Sequence, residues 1–163
     1  MKNVVKAVLG LGLFLSCISC TKKAEEAAAQ CNTTLSGTFL TCYANSGHYD
    51  KETIVTDGTT FTYSVQSFTD SACTSSMGAA ASVSGTATIG SASTAVSGAT
   101  DFDYTPTSGG SMGCGVNTTV YSIYKFNSDC TLSLGKQGGL SDTGCTSTTN
   151  RHTGISTGKF TRQ

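Results

Sequence analysis

Thr59-Thr60-Phe61-Thr62-Tyr63-Ser64-Val65-Gln66-Ser67-Phe68 is the stretch that decides the fold. Phe61, Tyr63 and Val65 alternate with polar residues, so one face is apolar and the other wet. A period of two marks a half-buried strand and not a helix. Asp57-Gly58, just before it, is a hairpin signal. Across that turn a strand is expected over residues 49–56, carrying Ile54 and Val55. One step further back, Asn45-Ser46-Gly47 is a turn, and Gly37-Thr38-Phe39-Leu40-Thr41-Cys42-Tyr43 a strand with Phe39, Thr41 and Tyr43 on one face.

Downstream the pattern continues more faintly. Asp70-Ser71-Ala72-Cys73 closes the unit, residues 83–90 read as a fourth strand and residues 99–104 as a short fifth. A glycine-rich loop over residues 108–115 leads to a strand over 118–126. That strand puts Tyr121 and Ile123 on one face, and Val120, Tyr124 and Phe126 on the other. Asn127-Ser128-Asp129 turns it into a strand over 130–134, and residues 158–162 form the last one. Frequent turn signals without helical periodicity, and with no internal repeat, predict an all-β domain, a sandwich or a barrel.

Composition supports this. Charged residues make up 12% of the 163, Lys+Arg balance Asp+Glu at 10 each, and Trp is absent. Disorder by self-repulsion needs net charge that the chain lacks, and Thr in quantity favours strands. A nucleic-acid binder would carry a basic stripe, and none is present.

The first residues have another character. Lys2 and Lys6 give a short positive start, and residues 4–18 are otherwise an apolar run that Gly10 and Gly12 interrupt. A span of ~20 apolar residues would cross a membrane; this shorter run reads as a secretory signal. Phe14-Leu15-Ser16-Cys17-Ile18-Ser19-Cys20 resembles the lipobox of bacterial lipoproteins, whose acylated cysteine becomes the new N-terminus. Parity chooses the cysteine. Of Cys17, Cys20, Cys31, Cys42, Cys73, Cys114, Cys130 and Cys145, lipidation at Cys20 removes Cys17 with the signal and leaves an even six. Cys17-x-x-Cys20 also spells a redox or zinc half-site, but it lies inside the signal with no second such pair. The expected organisation is a signal peptide over 1–19, a lipid-anchored tether over 20–30, and one domain over 31–163. The resemblance implies palmitate on the anchor and, because Thr21 follows Cys20, the outer membrane of the cell envelope.

A second resemblance concerns the domain. Gly37-Thr38-Phe39 resembles the G-x-W that opens lipocalins. Tyr121-Ser122-Ile123-Tyr124-Lys125-Phe126 with Leu132-Ser133-Leu134-Gly135 resembles the penultimate hairpin of lipocalin-like envelope lipoproteins. Asn150-Arg151-His152-Thr153 precedes the last strand, where lipocalins carry an Arg that packs on the first-strand Trp. The resemblance implies a small up-and-down meander barrel over 37–163, with Arg151 across the Phe39 ring and a lumen for one small ligand. A β-sandwich is the alternative.

Six cysteines allow fifteen pairings, which sequence alone cannot choose between. A meander favours Cys42–Cys73 at one end, Cys114–Cys145 at the opposite end, and Cys31 with Cys130. Phe39, Tyr43, Phe61, Tyr63, Tyr121 and Tyr124 are candidates to line a ligand cavity, or else fill the core.

Catalytic signals are weak. Gly109-Gly110-Ser111-Met112-Gly113 spells a nucleophile elbow but lacks the strand before it and the helix after it. His48 and His152 are expected at the surface, with no ligand spacing for a metal. Asp101 and Asp103 share a strand face, expected in water with Phe102 inward. We therefore expect no enzyme, cofactor or metal. The expected function is a membrane-anchored barrel that binds a small apolar ligand. The alternative is a surface-interaction lipoprotein, adhesin-like, with a filled barrel and partner-binding loops.

Overall fold

A computed structural model describes residues 31–109, 114–139 and 143–163. The chain divides into two units, Met1–Asn32 and Thr33–Gln163. The signal peptide, the tether and Cys17 and Cys20 lie outside the described residues, as does Ser111. Of the first unit only Cys31 and Asn32 are described, both outside regular structure.

The second unit is all-β. Its strands are β1 (Gly37–Asn45), β2 (His48–Thr56), β3 (Thr60–Phe68), β4 (Ala81–Ala92), β5 (Thr100–Ser108), β6 (Val120–Phe126), β7 (Leu132–Lys136), β8 (Gly154–Ile155) and β9 (Thr161–Arg162). All nine belong to one antiparallel sheet in the order β8-β7-β6-β5-β4-β3-β2-β1-β9, so two packed layers are ruled out in favour of a curled half-barrel. From β1 to β8 each strand pairs with the next in sequence, the signature of a meander. The two borders of the sheet approach one another at one level. Leu132 exchanges backbone hydrogen bonds with Phe160, 2.8 Å in each direction, and the next two residues pair with Leu40 and Phe39 of β1.

The strand path defines two ends. At the lower end lie the β2–β3 turn, the β4–β5 connection and the β6–β7 turn. At the upper end lie the β1–β2 turn and the three long loops after β3, β5 and β7. Each short turn has a local cause. Ser46 and Gly47 both take positive φ (45° and 92°) in the two-residue β1–β2 loop, the twist that tight hairpins require. At the β2–β3 turn, Asp57 Oδ1 accepts from Thr59 N–H (2.8 Å) and Thr60 N–H (2.7 Å). At the β6–β7 turn, Asp129 accepts from Thr131 Oγ1 at 2.6 Å and from Lys159 Nζ at 2.5 Å.

Alternation along the strands turns Phe39, Ile54, Phe61, Phe102, Tyr124 and Leu132 inward, where they pack with Leu35 and Phe160. Phe39 and Leu132 are wholly buried. Phe102 meets Tyr124 edge-on at 6.1 Å. β4 passes close to β5 at Gly85, where the register shifts. A Cβ at Gly85 would stand 2.1 Å from Thr105 O and 2.8 Å from the Phe61 ring, so only glycine fits.

Cys42 is bonded to Cys73 (Cα–Cα 6.3 Å) and Cys114 to Cys145 (5.5 Å). Cys31 and Cys130 are disulfide-bonded as well. The expectation that Cys114 and Cys145 lie at the end away from Cys42 and Cys73 is corrected. β5 runs upward, so the loop that carries Cys114 joins the loop after β3 at the upper end, and Cys145 follows β7 to the same end.

Candidate functional site

The inner face of the half-barrel holds an apolar cleft. Leu35, Ile54, Phe61, Phe102, Leu132 and Leu134 line it, with Thr56 and Ser122 as its polar residues. Tyr63 and Tyr104 line its upper part. Its volume is ≈ 50 Å³, room for a few water-sized spheres and well under the ~300 Å³ at which drug-sized pockets begin. Burial pushes the Tyr104 phenol up to about 12.

Above the cleft the inner face becomes polar. The face of β2 that carries Ile54 and Thr56 continues upward through Glu52 and Asp50. Tyr43 Oη donates to Glu52 Oε1 at 2.6 Å. That hydrogen bond, helped by burial, raises the Tyr43 phenol to about 12. The Tyr63 phenol is raised too, first by burial and then by the charge of Glu52. Asp50 is only 6% exposed. It accepts from Asn45 Nδ2 at 2.6 Å and Ser67 Oγ at 2.7 Å, with His48 Nε2 at 3.2 Å. The Asn45 and Ser67 hydrogen bonds hold its carboxyl below the usual range.

The structure sorts the six aromatic candidates. Phe61 and Tyr63 line the cleft. Phe39 and Tyr124 are buried in the core beneath it, and Tyr43 stands at the mouth, 41% exposed. Tyr121 is a correction. It lies opposite Asp103 on the outer face of the sheet, because β6 gives its inner face to Val120, Ser122 and Tyr124.

Arg151 is a second correction. It does not reach Phe39. Its guanidinium lies over the Tyr121 ring at 5.7 Å and bonds Asp103 and the Ser122 carbonyl, with Asp101 Oδ2 at 3.4 Å from Nε. Asp101 and Asp103 are thus paired on the outer face and not free in water; Phe102 does turn inward. The cation over Phe39 is Arg162 of β9, at 4.5 Å. It also bonds the carbonyls of Ser36 and Thr34 and faces Phe126 at 5.8 Å.

His152 is not at the surface but half-buried, with Nδ1 2.9 Å from Ser122 Oγ and the imidazole against Gly144. His48 is half-buried beside Asp50. A serine within reach of a histidine is the first requirement for a nucleophile. Ser122, however, sits mid-strand, and the adjacent Tyr121 N–H already donates to Gly144 O, so that donor is not open to an oxyanion. Among the described residues no group of three His, Cys, Asp or Glu is placed to hold a metal ion. Among them, too, no helix is long and apolar enough to cross a membrane.

Sequence reasoning missed Glu52, Asp50 and Ser122. The signal was present in His48-Tyr49-Asp50-Lys51-Glu52-Thr53-Ile54, where Ile54 fixes which residues of β2 face inward. Models of known protein families and curated proteins give no match to the chain.

Proposed function

We propose that the chain is an envelope lipoprotein, exported by residues 1–19 and anchored through lipid on Cys20, whose half-barrel is a lipocalin-like scaffold that takes one slim apolar ligand. The observation that carries the reading is the cleft: an apolar lining on the concave face of the sheet, with Thr56 and Ser122 as its polar lining residues and a polar rim above. Such a lining with a few fixed polar groups is the ordinary build of a small-molecule site. The volume restricts the ligand to a single short chain or ring. Native mass spectrometry of the protein taken from its own envelope tests both parts. The expected result is an acylated Cys20, three intact disulfides and one small adduct that leaves on gentle activation. A Cys20→Ala protein that remains membrane-bound with its acyl mass, or a preparation without any adduct, overturns the corresponding part.

A second reading keeps the anchor but fills the barrel. The small volume favours it, as do the Cys42–Cys73 and Cys114–Cys145 bridges that brace the long upper loops. Those loops would then meet a partner at the cell surface. An adduct-free protein captured through its upper loops, and released when Cys114 and Cys145 are both replaced by Ser, would support it.

A further inference from the structure

We propose that Glu52, Tyr43 and Tyr63 form a head-group site at the top of the cleft, and that the ligand it selects is a small organic ammonium with a short apolar tail. The inference rests on the cleft reading above and deepens it. Glu52 is a carboxylate on the concave face of the sheet, where the neighbouring inward positions of β2 and β3 are Ile54, Tyr63 and Val65. Ile54 and Tyr63 both line the cleft, and Glu52 is the next inward position of β2 above Ile54, two residues or ~7 Å along the strand.

Glu52 has acceptor capacity left over. An ionised carboxylate offers about four lone-pair positions; the Tyr43 hydroxyl occupies one and the Tyr63 hydroxyl engages a second, which leaves about two. An ammonium brings three donors and no acceptor. The two phenol rings offer the π faces that attract an organic cation. Charge on the rim points the same way. Asp50 and Glu52 stand on the inner face of β2, and Asp50 is already held by Asn45, Ser67 and His48. Lys136 shares the inner face of β7 and is exposed at the rim. A carboxylate ligand would meet two like charges there against the one opposite charge of Lys136, and an alcohol would forgo the ion pair.

Three probes with the same tail separate the terms: hexylammonium, hexanol and hexanoate, each titrated calorimetrically into the oxidised full chain at pH 7. Hexylammonium is expected to bind about tenfold or more tightly than hexanol, the scale of one charge-assisted contact, with hexanoate weakest. Glu52→Gln is expected to remove that preference and bring hexylammonium to the affinity of hexanol, with a circular dichroism spectrum and thermal melt showing that the variant is folded. If Glu52→Gln loses hexanol binding too, the order of the three probes on the unaltered chain decides. Hexanol or hexanoate binding as tightly as hexylammonium overturns the head-group site while the apolar cleft stands. No binding of any probe overturns both.

Discussion

At the scale of single residues, two arginines carry different tasks that their positions in sequence do not reveal. Arg162 lies over Phe39 and Phe126 and bonds the carbonyls of Ser36 and Thr34, so one side chain ties the last strand to the segment entering β1. Arg162→Ala should cost about 1–3 kcal/mol, from lost cation–π contact and charge-assisted hydrogen bonds. Arg162→Lys should recover less than half, because an ammonium cannot both lie flat on a ring and fork to two carbonyls. Urea unfolding of the three proteins measures this, and an unchanged midpoint for Arg162→Ala would sink it. Arg151 works on the convex face, where it fastens the loop after β7 to β5 and β6 through Asp103, Asp101 and the Ser122 carbonyl. The sequence showed a late arginine and an aromatic first strand. It could not say which arginine, because the distinction is one of register: β9 pairs Arg162 directly with Phe39.

At the scale of elements, strands with aromatic alternation were legible and strands without it were not. Thr60–Phe68 and Val120–Phe126 could be read to within a few residues, since Phe61 and Tyr63, or Tyr124 and Phe126, show the inner face directly. Ala81–Ala92 contains only Val83 and Ile89 as large apolar residues, and its two register shifts blur the period further. Gly85 explains part of this: the backbone approach there needs a residue with no side chain. Gly85→Ala is expected to destabilise by about 1–3 kcal/mol through overpacking against Thr105 O and Phe61. A thermal melt with Tm unchanged would contradict the close approach.

The turns predict a pH dependence. Asp57, Asp70 and Asp129 each accept hydrogen bonds from turn backbone, and all three carboxyls lie below their ordinary range. Asp129, held first by Lys159 and then by Thr131, is lowered to about 2. A carboxyl depressed on folding adds stability above its unfolded value of ~3.9, and that stability is lost as pH falls toward the folded value. Tm should therefore be flat near neutrality and drop between roughly pH 4 and pH 2. Asp129→Asn should shrink that drop, and a drop of equal size in the variant would refute the assignment.

At the scale of the whole molecule, the all-β class, the meander order and the Cys42–Cys73 and Cys114–Cys145 pairings followed from turn spacing and alternation, whereas the end at which Cys114 and Cys145 sit did not. Placing Cys114 requires the direction of β5, which depends on counting every strand before it, including the faint β4. The bridges matter because so polar a chain has a modest core. Cys42–Cys73 and Cys114–Cys145 each close a separation of 31 residues. Removing either by paired Ser replacement should cost about 3–4 kcal/mol on the chain-entropy estimate. Chemical denaturation of the paired variants tests it, and a loss under about 1 kcal/mol would show that the reduced chain keeps the loops together without the bond.

The meeting of the sheet borders at Phe160 and Arg162 also has a kinetic consequence. Consecutive hairpins join residues close in sequence, but the pairing of β9 with β1 joins residues more than a hundred apart. Local hairpins form in microseconds, and distant closure waits for the chain between its ends to be ordered. The seam is thus the last part of the sheet to form and the first to let go. Thr161→Gly, which weakens β9 without touching the core, should leave the refolding rate nearly unchanged and raise the unfolding rate about two- to fivefold. If refolding slows instead, the ends of the chain meet early, and folding begins from the seam that the hairpin order places last.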